Sequence, residues 1–192
     1  MGRIVVYATT QKDRASLRFH ITETRDEYLR ALADIVTVVN QLKDVYFILR
    51  PHPICDITEE EFRALLPECP RLKIISKGSF SRILSAADLL ISYSSTTIEE
   101  AVQNDIPVLL YDKWGRYNHF NLKELAGGTD LDVSPVYYLT KKEHLQNTIY
   151  TILFNFKRSS NSQAGLIKYK YPQAYRANFF TFVQKALETK GT

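Results

Sequence analysis

The sequence predicts an α/β fold, an open parallel sheet with helices on both faces, and three observations predict it. Short aliphatic runs alternate with segments of helical period from the N-terminus to Asp112. The runs are near-continuously apolar, as strands buried on both faces must be. Each run ends in polar, cationic or aromatic residues, and open parallel sheets bind ligands at the carboxyl ends of their strands.

The elements follow in order. RIVVYATT (3–10) is a β-branched run ending in hydroxyl residues, a strand that leads into a loop. Thr24 and Glu27 stand at capping-box spacing, and Tyr28, Leu32, Ile35, Val36 and Val39 keep the helical period behind them. VYFILRPHP is a second strand, stopped by Pro51 and Pro53. Thr58 and Glu61 repeat the capping box, and Pro67 closes that helix. RLKIISKG is a third strand, and SFSRILSAA a short helix with Phe80, Ile83, Leu84 and Ala87 inward. DLLISY, TTIEEAVQN and IPVLLYD read as a fourth strand, a helix and a fifth strand. Two helices complete the chain. One starts at Thr140, with Glu143 three residues later, and reaches about Phe156. The other spans 173–190, with Tyr175, Phe179, Phe182, Val183 and Ala186 on one stripe. Residues 157–172, opening with KRSSNSQAG, read as a flexible loop between them. The whole, 1–192, reads as a single domain.

Composition narrows the classes. With 45% hydrophobic and 24% charged residues, this is an ordinary globular composition, and no apolar run reaches the length of a membrane span. No signal-peptide pattern opens the chain, and Cys55 and Cys69 form neither a zinc pattern nor a disulfide framework, so the expected location is a reducing cytoplasm. The net charge of +4 is partly carried late, by Lys157, Arg158, Lys168, Lys170 and Arg176. No nucleic-acid recognition module accompanies it, and peripheral contact with the inner membrane face suits such a tail. His20, His119 and His144 have no ligand spacing, so no metal is expected, nor a bound cofactor.

The strand ends carry the chemistry. Ser94, Ser95, Thr96 and Thr97 stand where the fourth strand meets a helix, and one hydroxyl would suffice for a cap. Small hydroxyl residues at a helix N-terminus let a phosphate approach and add donors, so 94–97 is a candidate diphosphate cradle. The competing reading is capping, since Thr96 with Glu99 and Thr97 with Glu100 both have capping-box spacing. Glu100 lies one turn further, where a carboxylate can accept from a ribose. His52 is held between two prolines, where it can donate a hydrogen bond to a phosphate, serve in proton transfer or cap a turn. Gly78 and Ser79 can hold a base through backbone groups, and Thr10 closes the first strand's end. Lys12, Arg14 and Arg18 read as a solvated loop, and Trp114 and Tyr117 either wall the cleft or pack. Together these groups suit an anionic ligand with a flat ring, a nucleotide. GxSxG, Walker A and GxGxxG are all missing.

Residues 44 to 117 resemble the C-terminal, donor-binding half of GT-B glycosyltransferases, one Rossmann-like half of a GT-B fold. The likeness lies in RPHP after a strand, ADLLISYSSTTIEEA, and IPVLLYD with a later Tyr. It is strongest for the CDP-glycerol glycerophosphotransferases and capsular polysaccharide transferases, through Ala87-Asp88, Tyr93-Ser94-Ser95, Pro107 and Tyr117. The chain also resembles UDP-N-acetylglucosamine 2-epimerases, through His52-Pro53 and Glu99-Glu100. It departs from them at Gln11-Lys12 and Ser95-Thr96, where they have His-Arg and Gly-Gly. It departs from the glycerophosphotransferases at Ser92, where they have Asp.

The resemblance implies that Ser94, Ser95 and Thr96 hold the donor's phosphates, Glu100 its ribose, and His52 the phosphate or the transferred group. It implies a bacterial transferase in the synthesis of a surface polysaccharide or a teichoic-acid-like polymer. The donor would be a nucleotide-activated sugar or polyol. A GT-B enzyme has two such domains, so a separate N-terminal acceptor domain is the expected partner, and this domain alone is expected to bind without catalysing. The alternatives are an epimerase-like domain on the same fold and a non-catalytic nucleotide-binding module. A flavodoxin-like receiver would need an acidic pocket, which hydroxylic and basic strand ends do not supply.

Overall fold

The computed structural model describes residues 2–9, 22–118, 122, 124, 125, 131, 135–156 and 173–188, apart from the side chains of 9, 173–177 and 186–188. Six parallel strands form one sheet: β1 (Arg3–Thr9), β2 (Val45–Pro51), β3 (Leu72–Ile74), β4 (Leu89–Ser92), β5 (Val108–Tyr111) and β6 (Val136–Leu139). Their order across the sheet is β3-β2-β1-β4-β5-β6. The expected parallel α/β fold is therefore present, and the sheet has one strand more than the sequence reading assigned. VYYL, the sixth strand, pairs Val108 to Tyr111 with Val136 to Leu139.

Side chains alternate along each strand, so the two faces have separate cores. On β1, Val5 and Tyr7 face one core, and Ile4, Val6 and Ala8 the other. The first core is covered by α1 (Arg25–Gln41), α2 (Glu59–Leu65) and α5 (Lys142–Asn155). The second is covered by α3 (Phe80–Ser85), α4 (Thr97–Gln103) and α6 (Gln173–Glu188). Helices α1 and α2 cover one face and α3 and α4 the other, as a constant crossover hand requires when strand order reverses after β3.

Both early capping boxes form. Thr24 accepts from the Glu27 amide at 3.2 Å while Glu27 accepts from the Thr24 amide at 2.9 Å, and Thr58 and Glu61 repeat this at 3.2 and 2.7 Å. The later boxes do not form. Thr96 has helical backbone angles (φ −65°, ψ −13°), whereas a capping residue is extended, and its side chain makes no cap bond. Helix α5 starts after Lys141 rather than Thr140, because Glu124 accepts from both the amide and the hydroxyl of Thr140.

The α6 stripe is corrected in part. Val183 is buried in the core and Phe179 packs against it, as expected, but Phe180 is buried too, meeting Tyr46 edge-on at 5.9 Å, while Phe182 is 53% exposed. Tyr175 and Ala186 lie outside the described side chains. The 157–172 loop lies outside the described residues.

Asp88 explains part of the Ala-Asp pair in structural terms. Its carboxylate accepts from the Ile4 amide at 2.9 Å and from the Arg3 guanidinium at 3.0 Å, tying the amino ends of β1 and β4 together. It lies at the amino end of the strands, opposite the candidate site. No described helix is long and apolar enough to cross a membrane.

Candidate functional site

Strand order reverses between β1 and β4, so a crevice opens at the carboxyl ends of these two strands. There the Ser92 hydroxyl donates to the Ala8 carbonyl at 2.9 Å, locking the last rungs of the two strands. The loop from Tyr93 to Thr96 follows directly. Ser94 is buried, Ser95 is half-buried and Thr96 exposed, so the hydroxyls run from the interior to the surface. Ser95 Oγ accepts from the Thr97 amide at 3.3 Å, which makes Ser95 the residue that turns the chain into α4. Thr97 Oγ1 is buried and has no hydrogen-bond partner. Glu99 is exposed, and Glu100 is half-buried one turn into the helix.

A second wall comes from the loop after β5. Asp112 is 1% exposed, and its Oδ2 accepts from the Tyr117 amide at 2.7 Å and the Tyr138 hydroxyl at 3.0 Å. Its other oxygen, Oδ1, is buried without a partner. Burial and the nearby Asp112 charge push the phenols of Tyr93 and Tyr138 well above the usual range, so both stay protonated donors. Tyr117 meets Tyr93 edge-on at 6.5 Å, which joins the loop after β5 to the hydroxyl loop after β4.

The same loop is anchored outward. Arg116 donates to the Thr22 carbonyl at 2.7 Å and to Glu27 at 3.0 Å. The Arg116 guanidinium, with the Thr24 amide, lowers the Glu27 carboxyl to about 2. Trp114 is flanked by Lys113 at 5.6 Å and Arg116 at 5.9 Å. Lys113 also pairs with the buried Asp34, which accepts from Lys142 at 2.7 Å and from the Tyr111 hydroxyl at 3.1 Å. Burial opposes the ionisation of Asp34, but these donors outweigh it and hold the carboxyl below the usual range.

The remaining expected residues sit on neighbouring strand ends. His52 is exposed, its carbonyl accepts from the Cys55 amide at 2.8 Å, and its Nδ1 accepts from the Ile54 amide at 3.2 Å. The imidazole therefore does cap the turn, and the same bond leaves the neutral ring's proton on Nε2. Strands β2 and β4 flank β1, so the ends carrying His52 and Tyr93 are about 10 Å apart at two strand spacings. Gly78 and Ser79 are one strand further, at the edge, and line a cavity that none of Ser94, Ser95, Thr96, Glu100 and His52 lines. Thr10 lies outside the described residues, as do Lys12, Arg14, Arg18, His20 and His119.

The fold thus brings Ser94, Ser95, Thr96 and Glu100 together and leaves Gly78 and Ser79 to one side. Sequence reading missed the Asp112–Tyr138 pair, because it did not assign β6. The aromatic, β-branched run VYYL was the signal available. Among the described residues, no cluster of three or more His, Cys, Asp or Glu can hold a metal.

No family model matches the sequence, and no curated protein matches it. Solved structures do. A Listeria monocytogenes protein assigned as a UDP-N-acetylglucosamine 2-epimerase is similar over 92% of this chain and 42% of its own, at 18% identity and a TM-score of 0.52. Spinosyn rhamnosyltransferase, in complex with spinosyn aglycone, is similar over the same 92% and 42%, at 16% identity and a TM-score of 0.50. At such identities the likeness is one of fold: a Rossmann-like α/β domain of the GT-B kind. The chain spans about two fifths of the length of these structures, 42% in each case.

Proposed function

We propose that the chain is the donor-binding domain of a glycosyltransferase or glycerophosphotransferase in the synthesis of a surface polysaccharide or teichoic-acid-like polymer. It binds a nucleotide-activated sugar or polyol. The observation that carries the reading is the strand reversal between β1 and β4, with the Tyr93–Thr96 hydroxyls at the crevice it opens. Ser94, Ser95 and Thr96 donate to the diphosphate, and Glu100 accepts from the ribose. His52, with its proton on Nε2, donates to the phosphate or the transferred group. Gly78 and Ser79 contact the base, and Thr10 borders the phosphates. As the donor's bond to the transferred group breaks, charge gathers on the leaving phosphate, where fixed hydroxyl donors stabilise it. A separate acceptor domain completes the enzyme, the location is cytoplasmic with peripheral membrane contact, and 1–192 acts as one domain.

Titration with CDP, UDP, GDP and CMP, followed by backbone amide shifts, tests this. Shifts centred on Ser94 to Glu100 and on His52, strongest for one nucleotide, are the expected result. Shifts elsewhere, or none with the acceptor domain present, would sink the reading. The fold match to an epimerase supports a second reading, an epimerase on a nucleotide sugar. The full-length protein incubated with UDP-N-acetylglucosamine separates the two: an isomerised product supports the epimerase, and transfer to an acceptor supports the transferase.

A further inference from the structure

Of the side chains that α1 buries, Asp34 alone is charged. Its carboxylate takes three donors: the Tyr111 hydroxyl at 3.1 Å, Lys142 at 2.7 Å and Lys113. A buried ion pair contributes little net stability compared with apolar packing of the same volume. What a fully bonded one does impose is a fixed position for each partner.

Asp34 does not act alone. Glu27 lies seven residues earlier, two helical turns, and so on the same side of α1, about 10 Å along the axis. It accepts from Arg116 at 3.0 Å. Lys113 and Arg116, three residues apart in the loop after β5, therefore meet two carboxylates presented in a row by one helix. Trp114 stands between them, with both cations against its ring at 5.6 and 5.9 Å. The loop is laid along α1 at two points.

That placement reaches the crevice. From Arg116 the chain passes directly to Tyr117, whose amide donates to Asp112 at 2.7 Å and whose ring meets Tyr93 edge-on at 6.5 Å. Tyr93 opens the hydroxyl loop. Asp34 lies under the face that α1 covers, whereas the hydroxyl loop leads into α4 on the other face, so the link between them runs through the loop after β5.

We propose that Asp34 is a positioning residue of the crevice. By its bond to Lys113 it sets the loop from Lys113 to Tyr117, and through that loop Tyr93 and the hydroxyls that follow. For what the crevice binds, this rests on the donor-binding reading; for the placing of the loop it does not.

The two lysines provide the test, because both pair with the same carboxylate and only Lys113 belongs to the loop. Hydrogen exchange at the Tyr117 amide reads the loop. Titration of the whole chain with UDP and CDP, followed by amide shifts at Ser94 to Glu100, reads the crevice. Lys113→Met and Asp34→Asn are each expected to speed that exchange and to weaken nucleotide binding about tenfold, and the double variant to do no more than either alone. Lys142→Met is expected to leave both within about twofold. Equal effects of Lys113→Met and Lys142→Met would reduce the cluster to general stability and overturn the proposal. So would binding that Lys113→Met weakens and Asp34→Asn does not, which would make Lys113 a phosphate contact in its own right. If Asp34→Asn does not fold, the two lysine variants decide alone. Silence of Ser94 to Glu100 with both nucleotides in the unaltered protein would sink the donor-binding reading, and the Tyr117 exchange would still decide the role of Asp34.

Discussion

Asp112 holds the wall of the crevice through one oxygen. Because that oxygen is buried and its two donors are fixed, removing either leaves a charge poorly compensated in a dry place. Tyr138→Phe removes one donor and nothing else. It is expected to cost about 1.5–3 kcal/mol in urea unfolding, the range for a hydrogen bond to a charged group. A cost indistinguishable from zero would mean the hydroxyl is not held by the carboxylate. Glu27 acts on the same loop from outside. Its folded carboxyl titrates at about 2 against an ordinary 4.5, so the tether to Arg116 is complete above the ordinary range and is lost as pH falls from there toward 2. Trp114, the chain's single tryptophan, sits against Arg116 and reports on this. Its emission is expected to change across that acid window, and Glu27→Gln should show the acid emission already at neutral pH. Identical titrations of the two proteins would refute the link.

Helix α2 shows how little of an element the core needs. Of its seven residues Phe62 alone is buried, and it packs edge-on against Tyr28 of α1 at 6.4 Å. Phe62→Ala is expected to cost about 3–5 kcal/mol in chemical denaturation, as for other buried aromatics. A loss below about 1 kcal/mol would show that the site collapses to fill itself. Such elements were legible in the sequence where a local rule and the burial pattern agreed. At Thr24 and Thr58 the capping spacing stands before an apolar stripe, and both boxes formed. At Thr96 and Thr140 the same spacing failed for non-local reasons. One threonine is already helical where the chain turns sharply off β4, and the other is claimed by Glu124 from the preceding loop. On α6 two adjacent phenylalanines satisfy the period equally well, and only the position of Tyr46 on the sheet decides for Phe180. The hydroxyl loop was legible because a strand and a helix bracket it. The Asp112 network was not, because Tyr138 comes from a strand 26 residues later.

Across the whole molecule, the two ends of the sheet divide the work. Asp88 ties the amino ends of β1 and β4, and Tyr93 to Thr96 occupy the carboxyl ends. Asp88→Asn is expected to lower stability by about 1–3 kcal/mol while leaving nucleotide-induced shifts at Ser94 to Glu100 unchanged. Equal loss of both would show that the two ends are coupled through the strands. The bonds at both ends join positions 84 residues apart in the chain, from Ile4 to Asp88 and from Ala8 to Ser92. That separation has a meaning in time. On the ribosome, β1 and β2 are made before β4 and can pair while it is still being synthesised. The crevice between β1 and β4 has only one wall until Ser92 has emerged, and closing it means bringing together two distant points of the chain. The newborn chain is therefore expected to acquire a sheet before it acquires anywhere to hold a ligand.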